Sequence, residues 1–177
     1  MINLLAKKKT LFIAAIMTFV MFIVVMFVAN PLIDGDDGMG VLALQLAFDK
    51  EIGTQVIDNW TQTGRQNFNK LIFTDYIYAL SYSIFFASWL CMLIIKKGRE
   101  NLIFYKLLLF LPFVAGLFDW IENTLELFFI NNPTEFSNIL FFIHSLIASF
   151  KWLILPIVVG FLIKLSFQEN ANTHPIS

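Results

Sequence analysis

Asp119, Glu122 and Asn123 form a D-x-x-E-N step inside an apolar segment that runs from about Leu102 to Ile130. A carboxylate at bilayer depth costs roughly 2.5–3.5 kcal/mol on insertion scales, so chains keep one there only when it pairs or works. A later apolar segment carries His144 and Lys151, and an earlier one carries Asp75, Tyr78 and Tyr82. Asp75 and Tyr82 are seven residues apart, as are Asp119 and Glu126, and His144 and Lys151. A seven-residue step returns a helix to nearly the same face, so each of three helices presents one polar stripe. Lipid penalises such stripes, and they should converge inside a bundle. Titratable groups gathered in low dielectric are the setting in which a general acid or base is tuned. Glu122, His144 and Asp75 are the candidates for that role. The wider ligand-binding set is Asp75, Tyr78, Tyr82, Asp119, Glu122, Asn123, His144 and Lys151.

Depth narrows the pairings. With a rise of 1.5 Å per residue, Asp75 lies about one turn below the start of its apolar segment at Leu71. Counting from Ile130, Glu122 is about 12 Å and Asp119 about 16 Å deep; from Phe136, His144 is about 12 Å and Lys151 about 22 Å deep. Side chains lean toward the helix N-terminus, which lifts Lys151 toward the level of Asp119. An Asp119–Lys151 pair is expected, with His144 near Glu122 or Asp75.

Other chemistries find less support. The chain has two histidines, His144 and His174, and no H-E-x-x-H or paired-histidine spacing. Asp75, Glu122 and His144 offer a carboxylate-rich donor set, yet the sequence assigns neither a metal nor a cofactor. There is no G-x-S-x-G nucleophile elbow. A Lys151 Schiff base has only the buried lysine behind it. No basic patch is large enough for nucleic acid. Asp34-Gly35-Asp36-Asp37-Gly38 has the look of a calcium turn, but Gln45 stands where an EF-hand places its last glutamate.

The elements that must position these residues follow from composition. The 177 residues are 58% hydrophobic and 14% charged, with 21 phenylalanines and a mean hydropathy of +0.75. Soluble domains are about 45–50% apolar and about 25% charged. Four stretches reach the roughly 20 apolar residues that a bilayer crossing needs: about 11–29, 71–95, 102–130 and 136–165. The expected fold is all-α, a polytopic membrane four-helix bundle forming a single domain over 1–177, with a structured extracytoplasmic loop at 30–70 and a cytoplasmic tail at 166–177. The first helix carries no polar stripe and should pack as an apolar wall. Its lysine-led start resembles a signal peptide, but the apolar run is too long for one. Cys91 is the single cysteine, so no internal disulfide forms.

Lys7, Lys8, Lys9, Lys96, Lys97, Arg99, Lys106 and Lys164 fall on one side of these helices, against Lys50, Arg65 and Lys70 on the other. The positive-inside rule then places both termini in the cytoplasm and loop 30–70 outside. Within that loop, Leu42, Leu44, Leu46 and Phe48 alternate with Ala43, Gln45 and Ala47, which predicts a short extended segment. Asp49 should cap a following helix that carries Ile52, Val56, Ile57 and Trp60 and ends near Gly64. The loop is expected to lie over the outer mouth of the bundle or on the outer membrane surface, where it either closes the bundle by packing or meets a protein partner.

Gly64-Arg65, Asp75 with Tyr82, the Asp119, Glu122, Asn123 step and Lys151-Trp152 together resemble a group of small bacterial four-helix inner-membrane proteins of uncharacterised activity. The resemblance covers most of Leu42 to Val159. Where those proteins tend to have Tyr-Gly before the Gly-Arg step, this chain has Trp60-Thr61. It implies a multi-pass protein of the bacterial inner membrane and adds Arg65 to the ligand-binding set, as a cap over the cavity that pairs with Asp75. Two functions fit. One is an outward-facing intramembrane site for a lipid-like or small amphipathic ligand, with membrane lipids as its surroundings. The other is a non-enzymatic membrane subunit whose ion network only fixes helix packing. The sequence sets neither a substrate nor an oligomeric state.

Overall fold

The computed structural model describes residues 2–29, 40–133 and 135–168. Its elements are α1 (Ile2–Leu5), α2 (Lys8–Ile23) continuing as a π-helical stretch (Val24–Ala29), α3 (Gly40–Gln45), α4 (Lys50–Asn59), α5 (Gln62–Lys96), α6 (Ile103–Leu108), α7 (Leu111–Asn131) and α8 (Asn138–Phe167). Four helices are long and apolar enough to cross a membrane: Lys8–Phe27, Gln62–Lys96, Ile103–Asn131 and Asn138–Phe167. This is an all-α bundle of a membrane protein, and the described residues contain no strand. The acidic turn at Asp34–Asp37 and His174 lie outside the described residues.

The second span begins earlier than its apolar run. Thr61 accepts a hydrogen bond from the Gly64 amide at 3.1 Å, so α5 starts at Gln62 and Gly64 sits in its first turn rather than ending the helix before it. At 35 residues α5 is about 52 Å long, more than a bilayer core requires. Its polar first turns, Gln62–Lys70, therefore extend past the apolar run. The third span is broken. Pro112 has no amide hydrogen to give the Leu108 carbonyl, so α6 stops at Leu108 and α7 starts afresh with the proline in its first turn. In α8 the internal Pro156 likewise leaves the Trp152 carbonyl without its usual helical donor.

The loop departs from expectation at Leu42–Phe48. Residues 40–45 form the helical turn α3, not an extended segment. Leucine, alanine and glutamine are good helix formers. The same alternation also places Val41, Leu44 or Gln45, and Phe48 at helical spacing. Phe48 then turns the chain with φ 57°, its amide donating to Ser145 Oγ at 3.1 Å. Asp49 caps α4 as predicted, accepting from the Glu51 and Ile52 amides at 2.8 and 3.2 Å. Gly53 lets α4 lie directly on α8, since a Cβ there would stand 2.1 Å from the Phe141 ring.

The apolar core falls into two main packs. One gathers Leu44, Ile57, Trp60, Phe68, Ile72, Phe129 and Phe141 at the loop end. The other gathers Ala87, Leu90, Ile94, Leu108, Val158 and Leu165 at the opposite end. Helix α5 packs between α2 and α7, and α7 packs on α8. A hypothetical Cβ on Gly116 of α7 would stand 2.2 Å from Ser83 Oγ of α5, which shows how closely those two backbones approach. Ser83 donates across that contact to the Pro112 carbonyl at 2.9 Å. Among the described residues, helix α2 makes no comparable contact with α8.

Candidate functional site

The polar stripes converge in the layer between the two apolar packs. Helix α7 turns Asp119, Glu122, Asn123 and Glu126 inward, all buried. Helix α8 turns His144 and Lys151 inward, also buried. Helix α5 supplies Tyr82, which is buried, and Asp75 and Tyr78, which are partly so.

Lys151 is the hub. Its Nζ donates to Asp119 Oδ1 at 3.0 Å and to Glu122 Oε1 at 3.0 Å, and stands 2.8 Å from Glu122 Oε2. The expected Asp119–Lys151 pair is present, and Glu122 shares the same ammonium. Tyr82 donates its hydroxyl to the other Asp119 oxygen at 2.9 Å. Asn123 donates to Asp75 Oδ2 at 2.9 Å, tying α7 to α5. Tyr78 lies against the Tyr82 ring, with centroids 5.4 Å apart. With its donors engaged by two carboxylates, Lys151 does not present a free amine, which leaves the Schiff-base chemistry without geometric support.

His144 faces neither Asp75 nor the lysine. Its Nε2 stands 3.5 Å from Glu126 Oε1, and its ring is held between Phe129 and Phe141 at centroid distances of 5.3 and 5.4 Å. Glu122, Glu126 and His144 each bring one donor atom within 4.8 Å of the others. Glu126 was legible as the last member of the α7 stripe, yet it was not among the expected site residues.

Arg65 does not join the site. It pairs with Asp58 at 3.0 Å, at the junction of α4 and α5. Ten residues separate it from Asp75, about 15 Å along one helix, which is too far for a direct pair.

A cavity of about 510 Å³ lies beside the cluster. Asp75, Asn123, Asp119, Glu126, Lys151 and Gln45 give it one polar wall. Phe22, Val25 and Met26 of the first span, with Leu42, Phe86 and Leu155, give it an apolar wall. The first span is thus the apolar partition expected of it. Gln45 is a further site residue that the sequence reading missed: it accepts a hydrogen bond from Trp152 Nε1 at 3.1 Å and holds α3 against α8. Its signal was a single amide in the run Leu42–Ala47. The remaining partner of the Lys151-Trp152 step is the ring itself, 5.2 Å from the ammonium.

No protein-family model, curated protein or solved structure matches this chain.

Proposed function

We propose that this chain is a multi-pass protein of the bacterial inner membrane, with both termini cytoplasmic, whose polar site faces the outer side and binds a lipid-like or small amphipathic ligand. The observation that carries this reading is the two-sided cavity: carboxylates, amides and one ammonium on one wall, aliphatic and aromatic side chains on the other. Its volume of about 510 Å³ lies within the range of about 300–1,000 Å³ typical of small-molecule sites. A polar head would meet Asp75, Asn123 and Lys151, and an apolar chain would lie along Phe22, Val25 and Leu155. The excess of basic residues around the Lys96–Asn101 turn supports the orientation. The resemblance to the bacterial four-helix group supports the compartment.

The test is the amphiphile that copurifies with the protein in mild detergent, read by native mass spectrometry. Leu42→Trp and Val25→Trp fill the cavity from its apolar wall without touching the charges. Both should lower the bound amphiphile at least tenfold while the melting temperature is kept. Unchanged lipid occupancy in both would overturn the pocket. The second reading, a structural ion network in a subunit that meets a protein partner through residues 30–70, draws on the complete pairing of Lys151 with Asp119 and Glu122. Buried pairs of this kind set register while adding little net stability.

A further inference from the structure

Glu126 and His144 are buried completely, with no exposed surface on either. Neither ring nitrogen of His144 has a hydrogen-bond partner among the described residues. The Gln45 side chain hydrogen-bonds Glu126, and Nε2 of His144 stands 3.5 Å from Oε1 of Glu126. Buried polar atoms are almost always paired, so an unpaired imidazole beside two carboxylates calls for an occupant.

We propose that Glu122, Glu126 and His144 bind one divalent first-row transition cation in the core of the bundle. Three observations converge on it. The first is spacing. Donors bound at 2.0–2.2 Å to a tetrahedral ion lie about 3.4 Å from each other. The Glu126–His144 separation of 3.5 Å matches that edge, and all three donor atoms lie within 4.8 Å of one another. The second is donor chemistry. Two carboxylates and one imidazole suit manganese, iron or zinc. The single thiol, Cys91, belongs to the opposite apolar pack. The third is charge. Asp75, Asp119, Glu122 and Glu126 bring four carboxylates to one layer, and Lys151 brings one ammonium. A divalent cation would hold Glu122 and Glu126 in the ionised form that coordination requires, and a buried charge persists only with such a partner.

The construction of the bundle favours the same place. Glu122 and Glu126 are one turn apart on α7, and His144 meets them from α8, which is how facing helices build metal sites in bundle cores. Phe129 and Phe141 orient the imidazole. Glu122 reaches the Lys151 ammonium with its carboxylate, so the ion and the lysine would share one ligand. Glu126 also lines the cavity, whereas Glu122 and His144 do not. Three protein donors would leave a coordination position open, at which a bound ion polarises an oxygen placed beside it. The site stands independently of the amphiphile reading, with which it shares only Glu126.

The experiment uses the full chain in detergent, stripped with a chelator and then given Zn²⁺ or Mn²⁺ alone. Bound metal is counted by elemental mass spectrometry, and unfolding is followed in the same samples. One equivalent per chain and a higher melting temperature are expected for at least one ion. His144→Ala and Glu126→Gln should each weaken binding at least tenfold. Less than a tenth of an equivalent, with no thermal response to either ion, overturns the proposal. Binding that survives both substitutions undiminished also overturns it, because the ion then sits elsewhere. The chelated wild-type chain carries the test where a substituted chain fails to fold, and the lipid content of the same samples reports separately on the cavity.

Discussion

Without the Lys151 ammonium, Asp119 and Glu122 would face each other across a few ångströms of low dielectric. Breaking a buried pair from one side costs about 3–5 kcal/mol, because the partner charge is left uncompensated. Lys151→Met should therefore destabilise the protein by about that amount, read as thermal or denaturant unfolding in detergent. Adding Asp119→Asn should recover a substantial part of the loss, and a double variant no more stable than the single one would argue against the pairing. Much of this geometry was legible. Depth and side-chain lean alone joined Lys151 to Asp119. His144 lies beside Glu122 as its depth predicts, and it meets Glu126 as well, the donor atoms of all three lying within 4.8 Å of one another. Arg65 went astray for a different reason. Its pairing with Asp75 rested on closeness in sequence, and along one continuous helix ten residues amount to distance, not contact.

At the scale of elements, the docking of α4 on α8 depends on the absence of a side chain at Gly53. Phe141 is a rigid, buried ring and cannot yield to a Cβ 2.1 Å away. Gly53→Leu should lift α4 from the bundle and lower stability by about 1–3 kcal/mol. Faster proteolytic cleavage between residues 40 and 60, with the transmembrane helices still protected, is the expected signature, and unchanged cleavage would refute the docking role. The four long apolar helices were legible because hydropathy measures what lipid tolerates. Their ends were not, since caps decide them: Thr61 starts α5 nine residues before its apolar run, and Pro112 divides the third span. The α3 turn was misread because seven residues of alternation fit a helix as well as a strand once Leu44 and Gln45 have α8 to pack against.

At the scale of the molecule, the two apolar packs hold the ends of the bundle and the polar layer joins them. The basic residues predict which end faces the cytoplasm. With Cys91 buried, a cysteine introduced at the exposed Gln55 should react with an impermeant maleimide in intact cells, and one at the exposed Asn101 only after permeabilisation. The reverse pattern would invert the orientation. The order of the charges along the chain carries one more consequence. Asp119 and Glu122 are synthesised before Lys151, the lysine that pairs with both. Until α8 leaves the ribosome, α7 is a segment with three acids and no cation, a poor guest for lipid on its own. A chain cut before Asn138 is therefore expected to leave the third span poorly inserted, which alkali extraction of membranes from cells expressing it would read.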